Sequence, residues 1–189
     1  MGTRIKDAGA EAFALCPEGN HAAIVCGVVY LGTVTETYNG AEKDVEQIRL
    51  SFEIPAELRD DGAPFVVSTM PITASTNKKA KFRALCLGIL GREPGNDFDY
   101  DELLGKTCLV NIVHKPSKKD ENVMYANITG TSPLPKGMEV PEAITEAFSF
   151  DINESPLGEI DKLPDFVQKK VMSTLEFKAR IDAGEEAPF

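Results

Sequence analysis

The chain has 189 residues, 42% of them hydrophobic, enough for one core with appendages. Its formal net charge is −10, which taken as a whole disfavours phosphate as a partner and makes the distribution of charge the informative quantity. No apolar run reaches the length of a membrane span and the first residues lack the apolar centre of a signal peptide, so a cytoplasmic protein with no membrane partner is expected.

Residues 1–20 are small and polar and read as a lead-in. From His21 the texture changes. Ala22 to Leu31 is a β-branched strand candidate with a bend or bulge expected at Gly27, continuing extended to Tyr38, where Asn39-Gly40 signals a tight hairpin turn. A second strand, Val45–Ile54, alternates Ile48, Leu50, Phe52 and Ile54 with Gln47, Arg49, Ser51 and Glu53, so one face is expected to be buried and the other polar, with Pro55 ending it. A third strand is expected over Pro64–Thr73.

Lys78 to Leu90 predicts a helix, capped by Thr76 or Asn77, with Phe82, Leu85, Ile89 and Leu90 at helical spacing. Its lysine-rich start opposes the helix dipole, a cost that a bound phosphate would offset. Phe98 to Gly105 predicts one short helical turn, with its early carboxylates as caps. Lys106–Lys115 and Val123–Gly130 predict the fourth and fifth strands, joined by a basic loop. Beyond Thr131 prolines punctuate a less regular stretch, and Pro164 to Ile181 predicts a single helix.

Five strands with a helix between the third and fourth suit an OB-type barrel, with a β-sandwich as the structural alternative. The expected organisation is a lead-in (1–20), an OB-like domain (21–131), an extension carrying the helix (132–181) and an acidic tail (182–189).

Charge is unevenly shared. Residues 132–189 hold 12 acidic and 6 basic residues, whereas residues 76–119 hold nine basic against five acidic, so a basic stripe crosses an acidic protein. Binding single strands without sequence preference takes cations along the backbone path and exposed rings for stacking. Candidate phosphate contacts are Lys43, Lys78, Lys79, Lys81, Arg83, Arg92, Lys115, Lys118 and Lys119, and candidate stacking rings are Tyr38 and Tyr125.

Catalytic signatures are absent from the sequence. His21 and His114 sit in no zinc spacing, and there is no phosphate-binding Gly-rich loop, nucleophile elbow or His-Glu-x-x-His. No cofactor, metal or enzymatic activity is expected, with a metal-dependent nuclease built on Asp99 and Asp101 as a weaker alternative. Cys16, Cys26, Cys86 and Cys108 are widely spaced and are expected to be free buried thiols.

The end of the chain is acidic and finishes in Pro-Phe. Asp182, Glu185, Glu186, Pro188 and Phe189 could dock as a flexible segment in a partner's pocket.

Gly184 to Phe189 resembles the acidic Pro-Phe tail of bacterial single-stranded DNA-binding proteins. Val28–Thr33, Leu50–Pro55, Gly91-Arg92, Leu103–Lys106 and Tyr125–Ile128 are similar to stretches of phage-encoded proteins of that kind. The resemblance covers roughly residues 22–130 and the last six positions. It implies an OB fold and single-stranded DNA as partner, in phage replication or recombination within the host cytoplasm, with the tail recruiting replication or recombination proteins. The long linker of the bacterial proteins is missing, so their tetramer is not implied, and homo-oligomerisation stays open. The rival reading is a protein-interaction module, such as an inhibitor of a host enzyme.

Overall fold

Two long strands organise the chain. β1 (Gly19–Tyr38) and β2 (Ala41–Leu58) form one antiparallel hairpin. Asn39 (φ 50°) and Gly40 (φ 77°) both have positive φ, the geometry a two-residue hairpin turn demands. The computed structural model describes residues 14–188, so most of the expected lead-in, and the terminal Phe189, lie outside the described residues.

The sheet is mainly antiparallel. β3 (Pro64–Ser68) pairs with β2, β4 (Ile72–Thr73) also pairs with β2, β5 (Thr107–Pro116) pairs with β1, and β6 (Met124–Ser132) pairs with β5. The order is β3-β2-β1-β5-β6. No ladder joins its ends, although β3 and β6 come close in space. The expected bend at Gly27 is a register shift between Val25 and Gly27, and a second lies between Tyr30 and Gly32.

Several boundaries differ from expectation. Pro55 does not end β2; it falls where the β2–β3 register shifts between Ile54 and Leu58, a place where a residue without N–H is tolerated. The third strand is cut in two, with Thr69, Met70 and Pro71 lying outside both pieces. α1 is Lys81–Leu90, starting three residues later than expected, and its N-cap is Ala80 with no side-chain cap. Lys78 and Lys79 thus precede the helix instead of forming its first turn. The short turn is a 3-10 helix, Tyr100–Leu103, capped by Asp99, which accepts from the Asp101 N–H.

The first core lies inside the curled sheet. Ile48, Leu50, Phe52 and Ile54 of β2 are fully buried there with Val25, Val28, Val110, Ile112 and Ile128, and α1 closes it with Phe82, Leu85 and Ile89. Helix and strand touch at Gly88: a Cβ there would lie 2.2 Å from Thr131 Oγ1 and 2.4 Å from Thr131 O.

A second core covers the other side of β1. β7 (Phe148–Asp151) runs parallel to β1, and α2 (Asp165–Met172) and α3 (Leu175–Asp182) follow a 3-10 turn, Leu157–Lys162. Val29 and Leu31 are buried against Phe150, Ile152, Ile160, Val167, Val171 and Phe177. The single helix expected over Pro164–Ile181 is two helices, because buried Thr174 ends one and starts the next. Its hydroxyl donates to Val171 O (2.6 Å) and accepts from Phe177 N (3.3 Å). Glu176 fastens α3 to β1, accepting from the Thr33 N–H (2.7 Å) and hydroxyl (2.6 Å). Among the described residues no helix is long and apolar enough to cross a membrane.

Candidate nucleic-acid interface

The first wall of the candidate site is the outer part of the β1–β2 hairpin. Tyr38, at its tip, is 76% exposed, and Lys43 lies opposite Glu36 in the ladder. This arm is not basic: Glu36, Glu42, Asp44 and Glu46 surround the one lysine.

The opposite wall is the segment from β4 to the start of α1. Between the walls runs a groove of about 570 Å³ lined by Glu36 and Gln47 on one side and by Pro71, Ile72, Ser75, Asn77, Lys79 and Lys81 on the other. Of the cations expected from the sequence, Lys79 and Lys81 line this wall. Lys78, Lys79 and Lys81 are exposed; Lys81 donates from Nζ to Ile128 O (3.2 Å), which lays its side chain toward β6. Burial, and then the nearby Lys115 ammonium, hold the Lys81 amine below its ordinary value. An anion close to both ammonium groups would be stabilised by them.

Lys115 extends the surface onto β5. It pairs in register with Tyr125 of β6, whose ring is 55% exposed, and Lys118 and Lys119 are exposed in the loop that joins these strands. Tyr125 and Lys115 are thus cross-strand neighbours, the combination of ring and cation that stacking on a charged backbone uses.

Other expected contacts are otherwise engaged. Arg83 pairs with Glu93 and donates to Lys78 O (3.4 Å), and Arg92 pairs with Glu102. Each guanidinium already faces a carboxylate, so neither offers a free cation to phosphate without breaking that pair.

The tail is partly tied down as well. Glu185 accepts two hydrogen bonds from Arg180, at 2.8 and 2.6 Å, and the same guanidinium donates to Ile152 O and Ser155 O. Hydrogen bonding from Arg180 and the guanidinium charge hold Glu185 below the ordinary carboxylate value against a small burial penalty. Asp182 and Glu186 are exposed and Pro188 is half-buried, while Phe189 lies outside the described residues.

Asp99 and Asp101 are occupied by structure. Asp99 caps its own turn, and Asp101 accepts from the Ser149 hydroxyl. Among the described residues there is no group of three or more His, Cys, Asp or Glu placed to hold a metal ion. All four cysteines are buried and free, and burial is the main cause that pushes Cys16 and Cys26 up to about 11 and Cys86 and Cys108 up to about 12. They are thiols at neutral pH and poor nucleophiles.

No family model matches the chain, and no curated protein sequence matches it. The site therefore rests on its own geometry.

Sequence reasoning missed Glu36, Gln47, Ser75 and Asn77. Gln47 belongs to the polar face of β2 by its period of two, yet it is 96% buried, since only 4% of its surface is exposed. Nothing local distinguishes it from Arg49 or Ser51; the groove exists only once β4 folds back onto β2.

Proposed function

We propose that the protein binds single-stranded DNA through an OB-type barrel and supports phage DNA replication or recombination in the host cytoplasm. The observation that carries this reading is the groove between the β1–β2 arm and the start of α1. It is edged by Lys79 and Lys81 and continued by Lys115 and Tyr125.

The strand order supports it. β1, β2 and β3 form a meander, β1 pairs again with β5, and β5 with β6, the sequence of pairings a five-stranded OB barrel has when its last seam closes. In that architecture oligonucleotides lie across the second and third strands between the first hairpin loop and the last. On this reading Asn39-Gly40 and the 117–123 loop take those places. Phosphates then run along Lys78, Lys79, Lys81, Lys115, Lys118 and Lys119, and Tyr125 and Tyr38 offer ring faces. The acidic arm keeps the phosphate path on the opposite wall and leaves bases facing Glu36 and Gln47.

The tail, from Asp182 through Glu185, Glu186 and Pro188 to Phe189, serves as the recruiting segment for replication or recombination proteins. Its use requires Glu185 to leave Arg180. A second reading, an interaction module that inhibits a host enzyme, draws on the exposed acidic arm and its Tyr38.

The test is a titration of labelled single-stranded DNA, duplex DNA and single-stranded RNA at low and moderate salt. The proposal expects single-stranded DNA to bind best and to weaken steeply with salt. No binding of any oligonucleotide at low salt, combined with capture of a single host protein after nuclease treatment, would leave the second reading standing.

A further inference from the structure

Arg49 stands apart from the other arginines of the described residues. Arg59, Arg83, Arg92 and Arg180 each pair with a carboxylate, whereas no ion pair or hydrogen bond engages the Arg49 guanidinium among those residues. Arg49 is half-buried on the face of β2 turned away from the first core, since Ile48 and Leu50 on either side of it belong to that core. Its Nε–H is enclosed without an acceptor, while its Nη groups are not among the enclosed atoms. Burial holds the guanidinium below its ordinary value, and the one titratable group whose charge bears on it is the Cys26 thiol. That thiol is pushed up to about 11, mainly by burial, so it is neutral at physiological pH. A half-buried cation without a counter-charge costs free energy that an anion reaching its open side would recover.

A ring lies over this cation. The Phe166 centroid is 5.5 Å from Arg49 Cζ, a cation–π pair. Phe166 sits in the first turn of α2 and keeps 47% of its surface exposed, although Val167 beside it is fully buried. Arg49 is also two residues from Gln47, which lines the groove edged by Lys79 and Lys81. Residues two apart on a strand share a face and lie about 6.6 Å apart, so Arg49 is the next position along that wall.

We infer that Arg49 and Phe166 form a further contact for the nucleic-acid strand, next to the groove, in which the Arg49 Nη groups donate to a backbone phosphate and Phe166 stacks a neighbouring base. The inference rests on the single-stranded DNA reading above and deepens it, because Phe166 brings the C-terminal extension into the binding face. A guanidinium offers its donors as a fork to two phosphate oxygens, and an exposed ring stacks any base. A phosphodiester strand fits better than an acidic peptide, because the adjoining groove carries two lysines for further phosphates and the ring has a use.

The experiment measures affinity for labelled oligo(dT) over a range of salt with the wild-type chain, Arg49→Met, Arg49→Lys and Phe166→Ala. Losing one phosphate contact flattens the slope of log affinity against log salt by ~0.7. Arg49→Met should be shallower than wild type by that amount, and Arg49→Lys, which keeps the charge, should match wild type. Phe166→Ala should weaken binding about tenfold at every salt and leave the slope unchanged. The slope separates a contact from a structural role, since a partly unfolded chain loses affinity at all salts together; Arg49→Gln takes the place of Arg49→Met should the latter not fold. A steep wild-type slope that the uncharged variant retains, or Phe166→Ala binding as tightly as wild type, overturns this contact and leaves the binding reading intact. Arg49-dependent binding of a poly-glutamate peptide, with the oligonucleotide slope unchanged in Arg49→Met, would give the site to an acidic peptide instead. Failure of the wild-type chain to bind any oligonucleotide overturns both the contact and the reading beneath it.

Discussion

Glu53 is a carboxylate with no exposed surface, set on a strand among apolar neighbours. Burial raises its pKa, yet the Thr145 hydroxyl and the Ile144 and Thr145 amides outweigh that and hold it below the ordinary value. Ile144 N donates to Oε1 at 2.9 Å and Thr145 N to Oε2 at 2.5 Å. Because the folded value is depressed, the stabilisation is fully present above the unfolded carboxylate value, ~4.3, and disappears as pH falls through the folded one. Urea unfolding at pH 7 is expected to find Glu53→Gln destabilised by about 2 kcal/mol, since one amide would then face an NH₂ group. The wild-type and variant curves should converge as pH drops below ~4. A variant as stable as wild type at pH 7 contradicts the role given to this residue. Nothing in the sequence flags Glu53, which occupies a polar-face position of β2 like Ser51; its burial follows from the 132–147 segment laid over it.

At the scale of elements, the contact between α1 and β6 is backbone against backbone. Gly88 has room for no side chain, because Thr131 fills the space where its Cβ would stand. Gly88→Ala should separate helix from strand and cost roughly 1–3 kcal/mol, more than the helix propensity of alanine returns. Denaturant midpoints check this, and a stabilised variant would show that the helix is free to shift. The period-two run in β2 and the helical spacing of Phe82, Leu85 and Ile89 were legible because strong apolar patterning sets those elements, and all of those residues are buried. β7 was not legible: Phe148–Asp151 is four residues long, too short for a period to declare itself. The break at Thr174 was hidden for a related reason, since Val167, Val171 and Leu175 keep a helical rhythm across it even though Leu175 is 44% exposed.

Over the whole molecule, the C-terminal extension is part of the fold, not an attachment to it. Val29 and Leu31 of β1 would lose part of their cover without Val167, Val171 and Phe177. Removing residues 164–189 should therefore lower the unfolding midpoint sharply and expose enough apolar surface to bind a hydrophobic dye. A truncated protein as stable as the full chain would mean that this second core adds nothing. β1 gave a hint in its run of apolar residues with no polar alternation, the pattern of a strand covered on both faces. The candidate interface was legible in part. Composition showed the basic stripe, but only the folded chain separates Lys79 and Lys81, which line one groove, from Arg83 and Arg92, which are matched by acids. The most direct test of the account is the slope of log affinity for oligo(dT) against log salt, compared between the wild-type protein and a Lys79→Ala/Lys81→Ala/Lys115→Ala variant. Each lost phosphate contact should flatten the slope by ~0.7, so the variant's slope should be shallower by about 2. A steep wild-type slope that the three substitutions leave unchanged would place the DNA elsewhere on the molecule, and a flat wild-type slope would contradict phosphate binding altogether.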